Sequence, residues 1–242
     1  MTARANVKSC TICRQGLVRP ENQDRAGCFF STAEGAACAL AYVADGMGGH
    51  YGGAQASAAA AKFCAQWWDA WLHAPQRPAF LQCVDQLRTM LLRCHEAIRR
   101  DTPQGQICGT TIVLLFVSGG EYALFSAGDS RCYKVTRPFG LLPGQPEQLT
   151  HDDLSTLPGQ QGRLTQALGP GVCVPNLYTG QLRQKTGFAL CSDGVYKFCP
   201  NFQALIQPLP TAKDLKSLAE HIAAQTEAAG APDNYSLVLL QV

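Results

Sequence analysis

Residues 109–135 read GTTIVLLFVSGGEYALFSAGDSRCYKV, an apolar run, a Gly-Gly turn at 119 and 120, and a second apolar run that passes through an aspartate. Extended arms joined by so short a glycine link pair antiparallel, because a parallel return needs a crossover of about a dozen residues or more. Working outward, extended segments are expected at roughly 4–13, 25–31 and 38–44 upstream, and at 176–183, 187–191 and 235–242 downstream. Two helices interrupt them. The first, about 53–72, is alanine-rich and free of proline; the second, about 78–100, opens near Pro78 and spaces Phe80, Val84, Leu87, Leu91, Cys94 and Ile98 by fours and threes. Trp67 and Trp71, four apart on the first helix, read as core packing and not as a ligand-stacking pair. A further helix at about 211–229 turns Leu215, Leu218, Ile222 and Thr226 to one side. Residues 137–170, rich in Pro, Gly and Gln, read as an irregular surface excursion. Strands before and after a helical pair, linked by hairpins, point to an α+β fold and not to a doubly wound parallel sheet.

The chain has 242 residues, 46% of them hydrophobic, with no visible repeat or linker, and is expected to form one domain over 1–242. Twenty basic against eighteen acidic residues, without a block of one sign, argue against nucleic acid as a partner. The N-terminus has no apolar leader core and no run reaches the roughly 18 apolar residues of a membrane span, so a cytoplasmic protein is expected. Twelve cysteines scattered through apolar stretches read mostly as reduced core residues. Cys10 and Cys13 form a Cys-x-x-Cys, yet no second pair completes a zinc site and the surrounding VKSCTICRQG reads as extended.

VADGMGGHYGG at 43–53 places Asp45 after an apolar approach and before five glycines in eight residues. Asp24, Asp129, Asp193 and Asp233 stand likewise at the ends or edges of apolar segments, beside turn-forming residues. Each alone is an ordinary turn signal. Gathered at one rim, five acids repel and take up protons unless a cation neutralises them. Oxygen donors without a His or Cys cluster suit Mg²⁺ or Mn²⁺. Dinucleotide and P-loop patterns fail after Gly46, and no G-x-S-x-G element is present.

In order, GLVRPENQD (16–24), VADGMGGHYGG (43–53), GTT (109–111), AGDSR (127–131), LTQALG (164–169), LCSDG (190–194) and APDN (231–234) resemble the metal-dependent Ser/Thr protein phosphatases of type 2C, the PPM family. The resemblance implies a four-layer α-β-β-α sandwich, two antiparallel sheets flanked by helix pairs, with metals at one edge. It implies that Asp45 bridges two Mn²⁺ or Mg²⁺ ions, that the Gly46 carbonyl helps hold one, that Asp193 and Asp233 hold the first ion, and that Asp24 completes the shell. A third ion falls to Asp129 with Asp193, and Arg19 grips the phosphate. The implied reaction is hydrolysis of phosphoserine or phosphothreonine by a metal-bridging water, without a covalent enzyme intermediate.

Three departures accompany the resemblance. Met47 follows Asp45-Gly46 where eukaryotic members carry histidine, leaving His50 as the nearby general acid candidate. Gln23 stands where many relatives have glutamate, and the flap within about 137–170 is short. Size and flap are similar to the type VI secretion-associated subgroup, whose members oppose a bacterial Ser/Thr kinase; the expected partner is a phosphorylated Ser/Thr protein, met by a monomer. The rival reading is a pseudophosphatase retained as a phosphoprotein-binding module, against which all the matched aspartates are present.

Overall fold

The computed structural model describes residues 7–31, 37–47, 52–137, 142–182 and 185–242. Eleven strands appear among them: β1 (Lys8–Arg14), β2 (Asp24–Ser31), β3 (Cys38–Met47), β4 (Gly109–Thr110), β5 (Ile112–Ser118), β6 (Glu121–Ala127), β7 (Arg131–Arg137), β8 (Glu147–Gln148), β9 (Asn176–Gln181), β10 (Lys185–Cys191) and β11 (Tyr235–Gln241). One sheet runs β1-β11-β10-β7-β8, the other β2-β3-β5-β6-β9 with β4 beside β3. Every pairing is antiparallel.

The apolar runs are continuous because most central strands are buried on both faces. Ala39, Ala41 and Val43 on β3, Val113, Leu115 and Val117 on β5, and Val238 and Leu240 on β11 fill the space between the sheets. Their alternates Leu40, Tyr42, Leu114 and Phe116 face the helices α1 (Gly53–Leu72) and α2 (Phe80–Asp101). On the other side, Ala189, Cys191, Leu237 and Leu239 face α4 (Phe202–Ile206) and α5 (Leu215–Ala228), with α3 (Asp193–Tyr196) beside them. The period of two is therefore present but hidden, since both phases are apolar. The result is the expected α-β-β-α sandwich. Each Val, Leu or Phe among these side chains, withdrawn from water, stabilises the fold by about 1.5–3 kcal/mol, and each Ala by less.

The small residues of α1 let it lie close to β3, with Ala56, Ser57 and Ala60 buried. Trp67 and Trp71 stack at 6.3 Å and both meet Phe116 edge-on. The stripe of α2 from Val84 through Ile98 is buried as its spacing requires. All twelve cysteines are free, nine of them buried, and Cys10 and Cys13 lie on β1. No described helix is long and apolar enough to cross a membrane.

Two features depart from the sequence reading. The second arm of the opening stretch is two strands: β6 completes the hairpin with β5, while β7 belongs to the opposite sheet and pairs with β10. The break falls at Gly128, whose φ of +106° suits glycine, with Thr111 packed where a side chain would project. The short helices α3 and α4 also escaped periodicity, being four and five residues long.

Candidate active site

The turn between β6 and β7 delivers Asp129 to one edge of the sandwich, where the ends of β2, β3, β10 and β11 meet. Asp24 opens β2 and is the direct cross-strand partner of Asp45 on β3. Asp193 opens α3 one residue beyond the end of β10, and Asp233 lies two residues before the start of β11. Arg19, Asp45, Gly46, Asp129, Asp193 and Asp233 all line one cavity of about 400 Å³, which Leu164 of the flap also borders. Asp24 lies behind it, buried. The structure thus brings together five of the six candidate carboxylate and carbonyl ligands around the cavity, with the sixth beneath. His50 lies outside the described residues.

Small polar neighbours brace Asp45, Asp24 and the turns that carry Asp129 and Asp233. The backbone N–H of Asp45 donates to Thr111 Oγ1 at 3.0 Å, and its carbonyl accepts from the N–H of Thr111 and the hydroxyl of Thr110. Thr111 in turn shares a 2.7 Å hydrogen bond with Ser130, next to Asp129. Ser192 donates to Asp24 Oδ2 at 2.9 Å and accepts from the N–H of Ser236. Asn234 accepts from the N–H of Gln23 and donates to the Glu21 carbonyl, tying the segment before Asp24 to the one holding Asp233. Asp153 accepts from the N–H of Gly128 at 2.9 Å, fixing the Asp129 turn from the flap side. Thr110, Thr111, Ser130, Ser192 and Asn234 lie inside the motifs, whereas Asp153 and Ser236 do not. The only local signal, a Ser or Asn beside an acid at Ser130, Ser192 and Asn234, also marks any turn.

Two glycines are required by close approach. A Cβ on Gly46 would stand 2.6 Å from the Gln23 carbonyl oxygen, which accepts from the Gly46 N–H and from Ser57. A Cβ on Gly194 would collide with the Asn234 carbonyl.

Burial pushes the Asp24 carboxyl up to about 6, opposed by the hydrogen bond from Ser192 and reinforced by Asp193 and Asp233. Desolvation, then the charges of Asp24, Asp193, Asp129 and Asp233, push Asp45 well above the carboxylate range. Asp129 is raised by burial and Asp193, with Lys197 opposing. Two side-chain cations relieve the rim. Arg19 forks onto Asp233, Nε to Oδ1 at 2.7 Å and Nη2 to Oδ2 at 2.6 Å. Lys197 Nζ lies 2.8 Å from Asp193 Oδ2 and 3.5 Å from Asp129 Oδ2.

With these pairs made, no three Asp, Glu, His or Cys groups among the described residues already close around one point as metal ligands do. The donor set nevertheless fits a hard cation. Oδ1 of Asp24 and Oδ1 of Asp193 are buried without a hydrogen-bond partner, a cost that a cation removes.

Behind the flap, buried His95 on α2 accepts at Nδ1 from the N–H of Gly169, 3.0 Å away, so the ring is neutral. Burial lowers its pKa from 6.5. With the folded value below the unfolded one, this contribution is complete above pH 6.5 and is lost as pH falls through the folded value. In thermal melts the stability that wild type holds over His95→Gln should shrink as pH falls below 6.5, against the opposite trend from Asp24, whose raised pKa favours the folded state at lower pH.

A family model described as protein phosphatase 2C matches residues 18–237. The chain belongs to the protein phosphatase 2C family and is by class a protein serine/threonine phosphatase. It is 23% identical to a serine/threonine phosphatase stp from Listeria innocua, over 94% of this chain and 92% of that one. The structure of PppA, described as a key regulatory component of the type VI secretion system in Pseudomonas aeruginosa, matches with a TM-score of 0.76 and 26% identity over 97% of this chain and 96% of that one. The catalytic domain of the serine/threonine phosphatase PstP, solved with two manganese ions, has the same fold at a TM-score of 0.74 and 24% identity, over 98% of each chain.

Proposed function

We propose that this phosphatase removes phosphate from phosphoserine and phosphothreonine of proteins using Mn²⁺ or Mg²⁺ held at the aspartate rim. It acts as a single-domain monomer, against a bacterial Ser/Thr kinase in control of type VI secretion. The observation that carries the chemistry is the convergence of Asp45, Asp129, Asp193 and Asp233 on one cavity, backed by Asp24 and carrying two partnerless buried carboxylate oxygens. The likeness to PppA supports the pathway.

Asp45, the Gly46 carbonyl, Asp193, Asp233 and Asp24 would hold two ions, and the Asp129–Asp193 pair is the place at the rim where a third positive charge would sit. Such ions supply an acidified water and neutralise charge on the phosphoryl group. Arg19 supplies orientation. Its Nε and Nη2 already grasp two oxygens of one planar group, the fork that two phosphoryl oxygens also fill. To grip substrate, Arg19 would have to release Asp233. His50, three residues after Met47 in the sequence, is the candidate to protonate the leaving alkoxide, its alternative being a loop histidine without a catalytic role.

Phosphate release from a phosphothreonine peptide, measured with Mn²⁺, with Mg²⁺ and with chelator, tests the reading. Release that depends on the cation is expected. A folded chain that binds Mn²⁺ and the peptide but releases nothing would instead be a phosphoprotein-binding module.

A further inference from the structure

Lys197 stands where a cation would be expected. It caps the single turn of α3, and its N–H donates to the Asp193 carbonyl at 3.0 Å, so the side chain returns over the acid four residues before it. Its ammonium reaches both Asp193 and Asp129, one delivered by the five-stranded sheet and the other by the turn leaving the six-stranded one. The arrangement is braced from behind. Tyr196 donates to the Asp129 carbonyl at 3.1 Å, Arg131 covers the Tyr196 ring at 3.7 Å, and Arg131 forks onto Asp152 at 2.9 and 2.7 Å.

We infer that Lys197 is a built-in substitute for the third metal ion, so that this chain holds two ions and not three. The inference rests on the metal-dependent reading above and specifies how many ions that site takes. A divalent ion entering between Asp129 and Asp193 would have to displace the ammonium from both carboxylates and then remain beside it, an arrangement of like charges that the same two acids do not neutralise. Lys197 therefore neutralises Asp129 and the Oδ2 side of Asp193, and leaves Asp193 Oδ1 with Asp45, Asp24 and Asp233 to the exchangeable ions. Its side chain is 45% exposed, so substituting it removes charge without opening a core cavity.

Equilibrium dialysis of the full chain against millimolar Mn²⁺ counts bound ions without reference to turnover. Wild type and Lys197→Arg should each bind about two Mn²⁺, Lys197→Met about three, and Lys197→Met with Asp129→Asn about two again. Equal counts in wild type and Lys197→Met, with melting curves showing both folded, would overturn the inference alone, as would three ions in wild type. A wild-type chain that binds none would take down the metal-dependent reading and this inference together.

Discussion

Asp45→Asn is expected to lower metal-dependent phosphate release by about a thousandfold or more, with Asp193→Asn close behind. Asp45 is the acid most surrounded by its fellows: Asp24 faces it across the β2-β3 register, and Asp129, Asp193 and Asp233 raise its pKa after desolvation has done so. An amide there keeps the backbone hydrogen bonds to Thr110 and Thr111, which hold the N–H and carbonyl and not the side chain. It removes one charge from a crowded rim. The metal-free variant should consequently melt at or above the wild-type temperature while losing activity, and Mn²⁺ should raise its melting temperature less than it raises that of wild type. Wild-type-like turnover in Asp45→Asn would remove the site assignment.

Arg19→Ala is expected to lower kcat/KM on the order of a hundredfold, the scale of losing an oriented donor to transition-state charge. The ion pair adds a second, opposite effect. Because Arg19 occupies both oxygens of Asp233 in the metal-free site, its removal frees a carboxylate for a cation. Mn²⁺ affinity, read by titration calorimetry without substrate, should therefore hold or rise as catalytic efficiency falls. Loss of both together would mean that Arg19 positions Asp233 for the ion and does not grip phosphate.

Much of this site was legible because its chemistry is local. Asp45, Asp129, Asp193 and Asp233 each lie near a strand end directly beside Gly, Ser or Asn, and Asp24 lies two residues after Asn22, a pattern visible in a window of five residues, while the absence of a His or Cys cluster points to hard cations. The hairpin at Gly119-Gly120 was likewise local, and β5 and β6 pair across it. What escaped notice was the support. Thr111 and Ser130 are 19 residues apart, Ser192 and Asp24 168 apart, and nothing in either stretch alone distinguishes a residue holding an acid from one closing a turn.

The α+β class, the three long helices, most strands, the oxygen-donor character of the candidate ligands and the order of the motifs are already legible in short windows of sequence, because backbone propensity, apolar period and donor type are properties of neighbouring residues. Long-range packing alone sets that β7 leaves the sheet of β6, that Arg19 pairs with an acid 214 residues away, and that Lys197 bridges two aspartates from opposite halves of the sandwich. Runs apolar on both faces fit either sheet equally well, and an acid at a strand end takes whichever counter-charge the completed register brings within reach.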